Sequence, residues 1–249
     1  DLDLVRGEPT QRRDFLDKLL ITRTPRLAGV ISDYDRVVRQ RNTLLKTRAP
    51  ESSLAPWTEQ LISLGAQLTA ERINLVEKLN PYVTAHYAKL NEVKTASISY
   101  KSSTDGLTTD VDNNNLILAA KQKEVAHNES ERGVSLIGPH RDDLHLHLGD
   151  FPAKGYASHG ESWSIAIALR IGSFTLLREE GSSPILILDD IFAELDTARR
   201  AQLVAITHLA EQTFITAAVE SDLPADLATE RFYVTPGKVS REARDAGVA

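Results

Sequence analysis

A chain of 249 residues, 41% hydrophobic and 26% charged, is ordinary globular material, long enough for one large domain or two small ones with a sizeable core. It contains no cysteine, which excludes a disulfide scaffold or a thiolate metal site and suits a reducing cytoplasm; no apolar run approaches the roughly 18 residues of a spanning helix, and no signal-peptide pattern opens the chain. The net charge of −6 is unevenly spread, with eleven Lys/Arg against seven Asp/Glu in residues 1–50 and thirteen acids against six bases from Glu179 onward, so the acidic total does not exclude a basic face on the N-terminal part.

In chain order, Gly7-Glu8-Pro9 starts a helix with proline in its first turn, carrying Phe15, Leu16, Leu19 and Leu20 inward. Leu27, Val30, Ile31, Tyr34, Val37, Val38, Leu44 and Leu45 follow three-to-four spacing on a second helix. A third runs from about Leu54 through Leu79, with Asn80-Pro81 expected to cap and restart it. Ala96 to Tyr100 alternates like a strand, Ser102 to Gly106 is a polar turn, and a helix is expected over Asn115 to Glu131. Val134 to Ile137 and Leu144 to Leu148 read as strands flanking GPHRDD. His145 and His147, two apart on a strand, share a face with metal-ligand spacing, but no third ligand is evident and a solvated face is the preferred reading.

From Phe151 the pattern is strand-helix-strand-helix-strand. Ser158 and Glu161, three apart and ahead of Ile165, Ala168 and Leu169, form a capping box that opens a helix. With glycine in its first turn, such a terminus offers N–H groups and a positive dipole end to an anion, although most capping boxes bind nothing. Ile185 to Leu188 suits a parallel strand covered on both faces, delivering Asp189 and Asp190 at the end where open α/β sheets bind ligands. The alternative is that these aspartates merely cap the next helix. A helix over about Thr197 to Ala210, a strand over Thr213 to Val219, a last strand near Phe232 to Val234 and a polar tail complete the pattern.

The order Ser-x-Gly-Glu, helix, aliphatic strand with Asp189-Asp190, then Ala193-Glu194-Leu195-Asp196 resembles the signature motif, Walker B and D-loop of ABC-type ATPases. With GPHRDDL at Gly138 to Leu144 and AKGYASHGE upstream, the chain is similar to the RecF family of bacterial recombinational-repair ATPases over most of its length. The resemblance implies an α/β fold: a partial P-loop head of the ABC/SMC type with an inserted, mainly helical lobe. Residues 1–132 would form that lobe, and 133–249 the C-terminal half of the head.

The same resemblance implies a weak, ATP-dependent, Mg²⁺-using ATPase of the cytoplasm. Asp189 would hold Mg²⁺ through water and Asp190 would position the attacking water. Ser158, Gly160 and Glu161 would meet the γ-phosphate of ATP held by a second subunit, with Ala193 and Asp196 along that interface. ATP would thus join a homodimer that clamps DNA at gaps or single-strand/double-strand junctions and promotes recombinase loading, with RecR and RecO as partners and no membrane role. Arg12, Arg13, Arg36, Arg39 and Arg41 are the candidate DNA contacts.

Three departures accompany the resemblance. The signature has His159 and Glu161 where glycine and glutamine are usual, and FITAAVE at Phe214 to Glu220 lacks the usual switch histidine, for which Thr216 is the available substitute. GPHRDD is assigned a structural or interface role. No G-x-x-x-x-G-K-[ST] loop occurs and no methionine is present, so an incomplete chain is expected. Another ABC/SMC-head ATPase and a non-hydrolysing helical scaffold stand as alternative readings.

Overall fold

A computed structural model describes residues 2–91, 93–224, 227 and 230–241; most of the expected polar tail lies outside them. The chain forms two compact units, Asp1–Ser183 and Pro184–Ala249, so the boundary expected at 132/133 falls inside the first.

The first unit begins with α1 (Leu2–Arg6) and α2 (Pro9–Arg23), where Pro9 takes the first helical position and Glu8 and Gln11 close a capping box. The inward stripe of α2 is Phe15, Leu16, Leu19 and Leu20, as its spacing predicts. α3 (Leu27–Lys46) buries Tyr34, Val37, Val38 and Leu45. α4 (Glu51–Leu90) is one uninterrupted helix of 40 residues, about 60 Å long at 1.5 Å per residue. The expected restart at Asn80-Pro81 does not occur. Pro81 withholds only one N–H from the ladder, and buried Leu79, Val83 and Tyr87 carry the helix across it. Asn80 is used elsewhere: its side-chain oxygen accepts the Ile98 N–H at 2.8 Å.

β1 (Ala96–Lys101) pairs antiparallel with β2 (Asp143–Leu148), which pairs with β3 (Phe151–Pro152). The period of two puts Leu144, Leu146 and Leu148 into the core with Ala96 and Ile98. His145 and His147 lie on the other face, their ring centroids 6.1 Å apart, and His147 Nε2 meets Ser99 Oγ at 3.0 Å. α5 (Val111–Arg132) starts at Asp110, whose side chain accepts the N–H groups of Asp112 and Asn113, and ends on Gly133 in the left-handed region. After the short turn α6 (Ala153–Tyr156) comes α7 (His159–Glu179), apolar on nearly every side because it lies inside the unit. α4 packs on α3, α5, α7 and β1. Its approach to α7 is close at Gly172, where an added Cβ would come within 3.2 Å of the Val83 nitrogen.

Of the two strands expected around GPHRDD, the second forms as β2 and the first does not. Val134 to Ile137 makes no ladder; side chains from α3, α5 and the following turn bond its backbone instead. The Ser135 N–H donates to Asn42 Oδ1 at 2.7 Å and the Leu136 N–H to Glu129 Oε1 at 2.6 Å. The Ser135 carbonyl accepts from Arg141, and the Pro139 carbonyl from Arg72 at 2.7 Å. Three arginines anchor this loop and its surroundings through carboxylates: Arg12 with Asp143, Arg41 with Glu129, and Arg72 with Asp17. Gly138, at φ 111°, passes under Tyr34; a Cβ there would lie 2.4 Å from the phenolic oxygen.

In the second unit, β4 (Leu186–Asp189) pairs in parallel with β5 (Thr213–Thr216), with α8 (Thr197–Thr207) between them in sequence. β5 stops at Thr216, three residues short of expectation. β6 (Tyr233–Thr235) and β7 (Lys238–Ser240) form a hairpin turning at Gly237, φ 75°. β4 is parallel, as its aliphatic run predicts, but it is not covered on both faces among the described residues: Ile187 is 67% exposed and its neighbour on β5, Phe214, 51%.

Candidate functional site

The capping box at the start of α7 forms as the sequence predicts. Ser158 Oγ accepts the Glu161 N–H at 3.2 Å, and Glu161 Oε2 accepts the Ser158 N–H at 2.8 Å. The serine oxygen is therefore used as an acceptor, leaving its hydroxyl proton to donate. Gly160 lies in the first turn, where backbone N–H groups have no partner within the helix. His159 Nε2 accepts from the Trp163 indole N–H at 3.2 Å, so it braces the helix side. The other oxygen of Glu161 takes the Lys94 ammonium at 2.7 Å. That ion pair, followed by the bond from the Ser158 N–H, pulls the Glu161 carboxyl down to about 2.

At the end of β4 the two aspartates do different work. Asp189 lies opposite Thr216 in the register, and its Oδ1 accepts the Thr216 hydroxyl at 2.5 Å. Asp190 turns into the left-handed region, φ 49°, and its N–H donates to the Thr216 hydroxyl oxygen at 3.0 Å. Left-handed backbone is unfavourable for a residue with a Cβ, although Asp tolerates it better than most; here it swings the second carboxylate off the strand line. Asp190 Oδ1 faces the Ala218 N–H at 3.3 Å and makes no capping bond to the 3₁₀ turn Ile191–Glu194 that follows. The helix-cap reading of the pair is thus not what the structure adopts. Both side chains are solvent-exposed.

Ala193 is exposed on that 3₁₀ turn. Asp196 caps α8, accepting the Arg199 N–H at 2.9 Å and the Arg199 guanidinium at 3.0 Å. Ser158, Gly160 and Glu161 thus converge on one helix end in the first unit, and Asp189, Asp190 and Thr216 on one strand end in the second.

The arginine set divides. Arg12 is buried, bidentate to Asp143 at 2.8 Å on both arms, with a third bond to the Gly7 carbonyl. Arg41 is buried, bonded to Glu129, Ser135 and Thr58. These two are corrected from candidate DNA contacts to internal anchors: a buried guanidinium bonded to groups inside the protein is out of reach of a phosphate. Arg13 bonds the Asp142 carbonyl at 2.8 Å and Thr10 at 2.9 Å. Arg36 and Arg39 remain on the exposed face of α3, Arg36 paired with Asp33 one turn away.

GPHRDD is a polar corner, buried at Gly138, Pro139 and Asp142 and exposed at Arg141. His140 Nδ1 is 2.7 Å from the Tyr34 hydroxyl and Nε2 3.3 Å from the Ser135 carbonyl, an arrangement that suits a neutral ring protonated on Nε2. Burial, with Arg141 and Arg13 nearby, pushes its pKa down to about 4. Asp142, itself buried, accepts the Ser103 N–H and the Tyr100 hydroxyl, and burial raises its pKa. Lys94, Arg72, Glu129 and Tyr100 were not singled out from sequence. Each is isolated among unlike neighbours, so no local pattern marks it.

No family model matches the chain. Curated relatives do. The chain is 47% identical to "DNA replication and repair protein RecF" of Streptomyces avermitilis, covering 97% of this chain and 68% of that protein, and 46% identical to the protein of the same name from a Nocardioides strain, covering 97% and 71%. Among solved structures, the recombination mediator protein RecF with ATP, in the RecFOR pathway, superposes with a TM-score of 0.84 at 24% identity, covering 97% of this chain and 65% of that one. The corresponding ATPrS form gives 0.83, covering 96% and 64%. The chain therefore spans about two thirds of the length of the proteins it matches, and over that span the fold is that of the solved RecF structures.

Proposed function

The chain belongs to the RecF family of DNA replication and repair proteins, and from that premise we propose that it is part of an ATP-dependent DNA-binding protein of the cytoplasm, acting in recombinational repair and replication restart. In this reading ATP joins two copies, the dimer clamps DNA at gaps or single-strand/double-strand junctions to promote recombinase loading, and slow hydrolysis releases it. RecR and RecO are the proposed protein partners.

The observation that carries the reading is the pair of exposed aspartates, Asp189 and Asp190, at the C-terminal end of a strand in a parallel pair, with the Thr216 hydroxyl bonded to the carboxylate of the first and the backbone N–H of the second. The residues fit the groups the family implies. An exposed carboxylate at a strand end offers the oxygen donors that Mg²⁺ prefers. A first-turn glycine and a serine with its hydroxyl proton free of the capping bond suit a phosphate oxygen. When bound, Mg²⁺ and ATP supply a hard cation and the phosphoryl group to be transferred.

The protein's own residues then have distinct tasks. Asp189 holds the hydrated cation, oriented by Thr216. Asp190 positions the attacking water, since phosphoryl transfer depends on placement and charge stabilisation more than on covalent help. Being one methylene shorter than the glutamate usual there, it suits slow turnover. Ser158 and the Gly160 N–H meet the γ-phosphate held by the second copy. Glu161 sets the cap that aims them, and Ala193 and Asp196 lie along the same interface. Arg36 and Arg39 contact DNA phosphates.

Light scattering of the full-length protein with ATP and Mg²⁺ tests this. Ser158→Arg is expected to abolish the ATP-dependent dimer, and Asp190→Asn to accumulate it because hydrolysis fails. A Ser158→Arg protein that dimerises normally would sink the shared-site reading, and fast turnover by Asp190→Asn would remove that residue from its role.

A further inference from the structure

We infer that Lys94 is a positioning residue for the phosphate contact at Ser158: by pairing with Glu161 it fixes the cap that aims the serine and cancels the negative charge that the cap places beside an incoming phosphate. The inference rests on the reading of Ser158 as a phosphate contact, and adds to it a residue outside the signature motif.

The capping box creates an electrostatic conflict. A carboxylate in the first turn of a helix is attracted by the same positive end that would attract a phosphate. Glu161 stays ionised throughout the neutral range, its carboxyl held at about 2, so its charge cannot be shed when an anion approaches. A phosphate at Ser158 would face that carboxylate three residues along the chain, within the first helical turn.

Lys94 resolves the conflict. Its ammonium reaches Glu161 Oε1 at 2.7 Å, while Oε2 remains on the Ser158 N–H at 2.8 Å, so one carboxylate is held from both sides. The pair has no net charge. Glu161 is largely sheltered, its side chain 15% exposed, whereas the Lys94 side chain is 48% exposed and belongs to the connection between α4 and β1, 67 residues away in sequence. With its lysine half in water, the pair contributes little to folding. Its stronger consequence is local, because like charges a few ångströms apart near a protein surface repel by amounts large enough to govern binding.

The test is a double-variant cycle in the full-length protein, reading the ATP concentration for half-maximal dimerisation by light scattering with Mg²⁺ present. Lys94→Gln is expected to raise that concentration on the order of tenfold, because Glu161 is left uncompensated. Lys94→Arg, which keeps the charge, should stay within about twofold of the parent. In a Glu161→Gln background, whatever that change does alone, Lys94→Gln should add less than about twofold, since no carboxylate remains to neutralise. The same factor in both backgrounds would overturn the inference, and so would an unchanged ATP requirement for Lys94→Gln in the parent. Loss of the dimer in Ser158→Arg with a silent Lys94→Gln removes only the role of Lys94. A Ser158→Arg protein that still dimerises removes the phosphate reading beneath it.

Discussion

Thr216 donates its hydroxyl proton to Asp189 Oδ1 at 2.5 Å, and the same oxygen accepts the Asp190 N–H at 3.0 Å. One hydroxyl on β5 thereby ties together both members of the carboxylate pair on β4. In the proposed reading its task is orientation of the pair.

Thr216→Val keeps the shape and removes the hydroxyl. The fold should lose only about 1 kcal/mol, the scale of one partly solvated hydrogen bond. ATP hydrolysis by the full-length protein should fall at least about tenfold while ATP binding changes far less, because orientation acts on the chemical step. Single-turnover hydrolysis beside equilibrium nucleotide binding separates the two; equal loss in both would assign Thr216 to nucleotide binding instead.

Arg41 and Glu129 form the most sheltered ion pair described, with side chains 4% and 0% exposed. Arg41→Met should destabilise the first unit by about 3–5 kcal/mol, because the carboxylate loses its counter-charge inside the protein. Adding Glu129→Leu should restore part of that loss. Urea unfolding of the parent, the single variant and the double variant checks the order; a double variant weaker than Arg41→Met would show that the Gln122 and Leu136 bonds to Glu129 matter more than its charge.

His140 makes stability depend on pH with a definite sign. Its folded pKa, about 4, lies below the ordinary histidine value, so the unfolded chain takes up the proton first as pH falls. The neutral ring's contribution is complete above pH about 6.5 and is lost between there and about 4. The stability advantage of the parent over His140→Gln should therefore shrink across that window, by on the order of 2 kcal/mol. Taking the difference between the two proteins removes the opposing trend of Asp142, whose raised pKa acts the other way. A difference that stays constant from pH 7 to 4.5 would show that the ring is protonated without penalty.

Arg36 and Arg39 should carry the salt dependence of DNA binding. Replacing each by Gln is expected to weaken binding to DNA of any sequence and reduce the slope of log K against log salt by about 1 per arginine. Arg12→Gln and Arg41→Gln should instead lower the melting temperature. Fluorescence anisotropy across a salt series, beside thermal unfolding, distinguishes the classes; an unaltered slope in the Arg36 and Arg39 variants would move the DNA contact elsewhere.

Amino-acid pattern alone determined the features that are local. The Ser158–Glu161 cap, the stripes of α2 and α3, the alternation of β2 and the aliphatic delivery of Asp189 and Asp190 are all specified within a few residues, because helix and strand periodicities and caps act over one or two turns. Tertiary structure decided which polar groups serve the interior. Arg12 and Arg41 look like the exposed Arg36 and Arg39 until Asp143 and Glu129, 131 and 88 residues away, are folded against them. The same holds for Val134 to Ile137, apolar enough for a strand yet bonded by the side chains of Asn42, Glu129 and Arg141, and for Asn80-Pro81, a break in isolation that packing carries through. It holds also for Lys94, which nothing nearby connects with Ser158. Burial and charge pairing depend on contacts between distant segments, and periodicity carries no information about them.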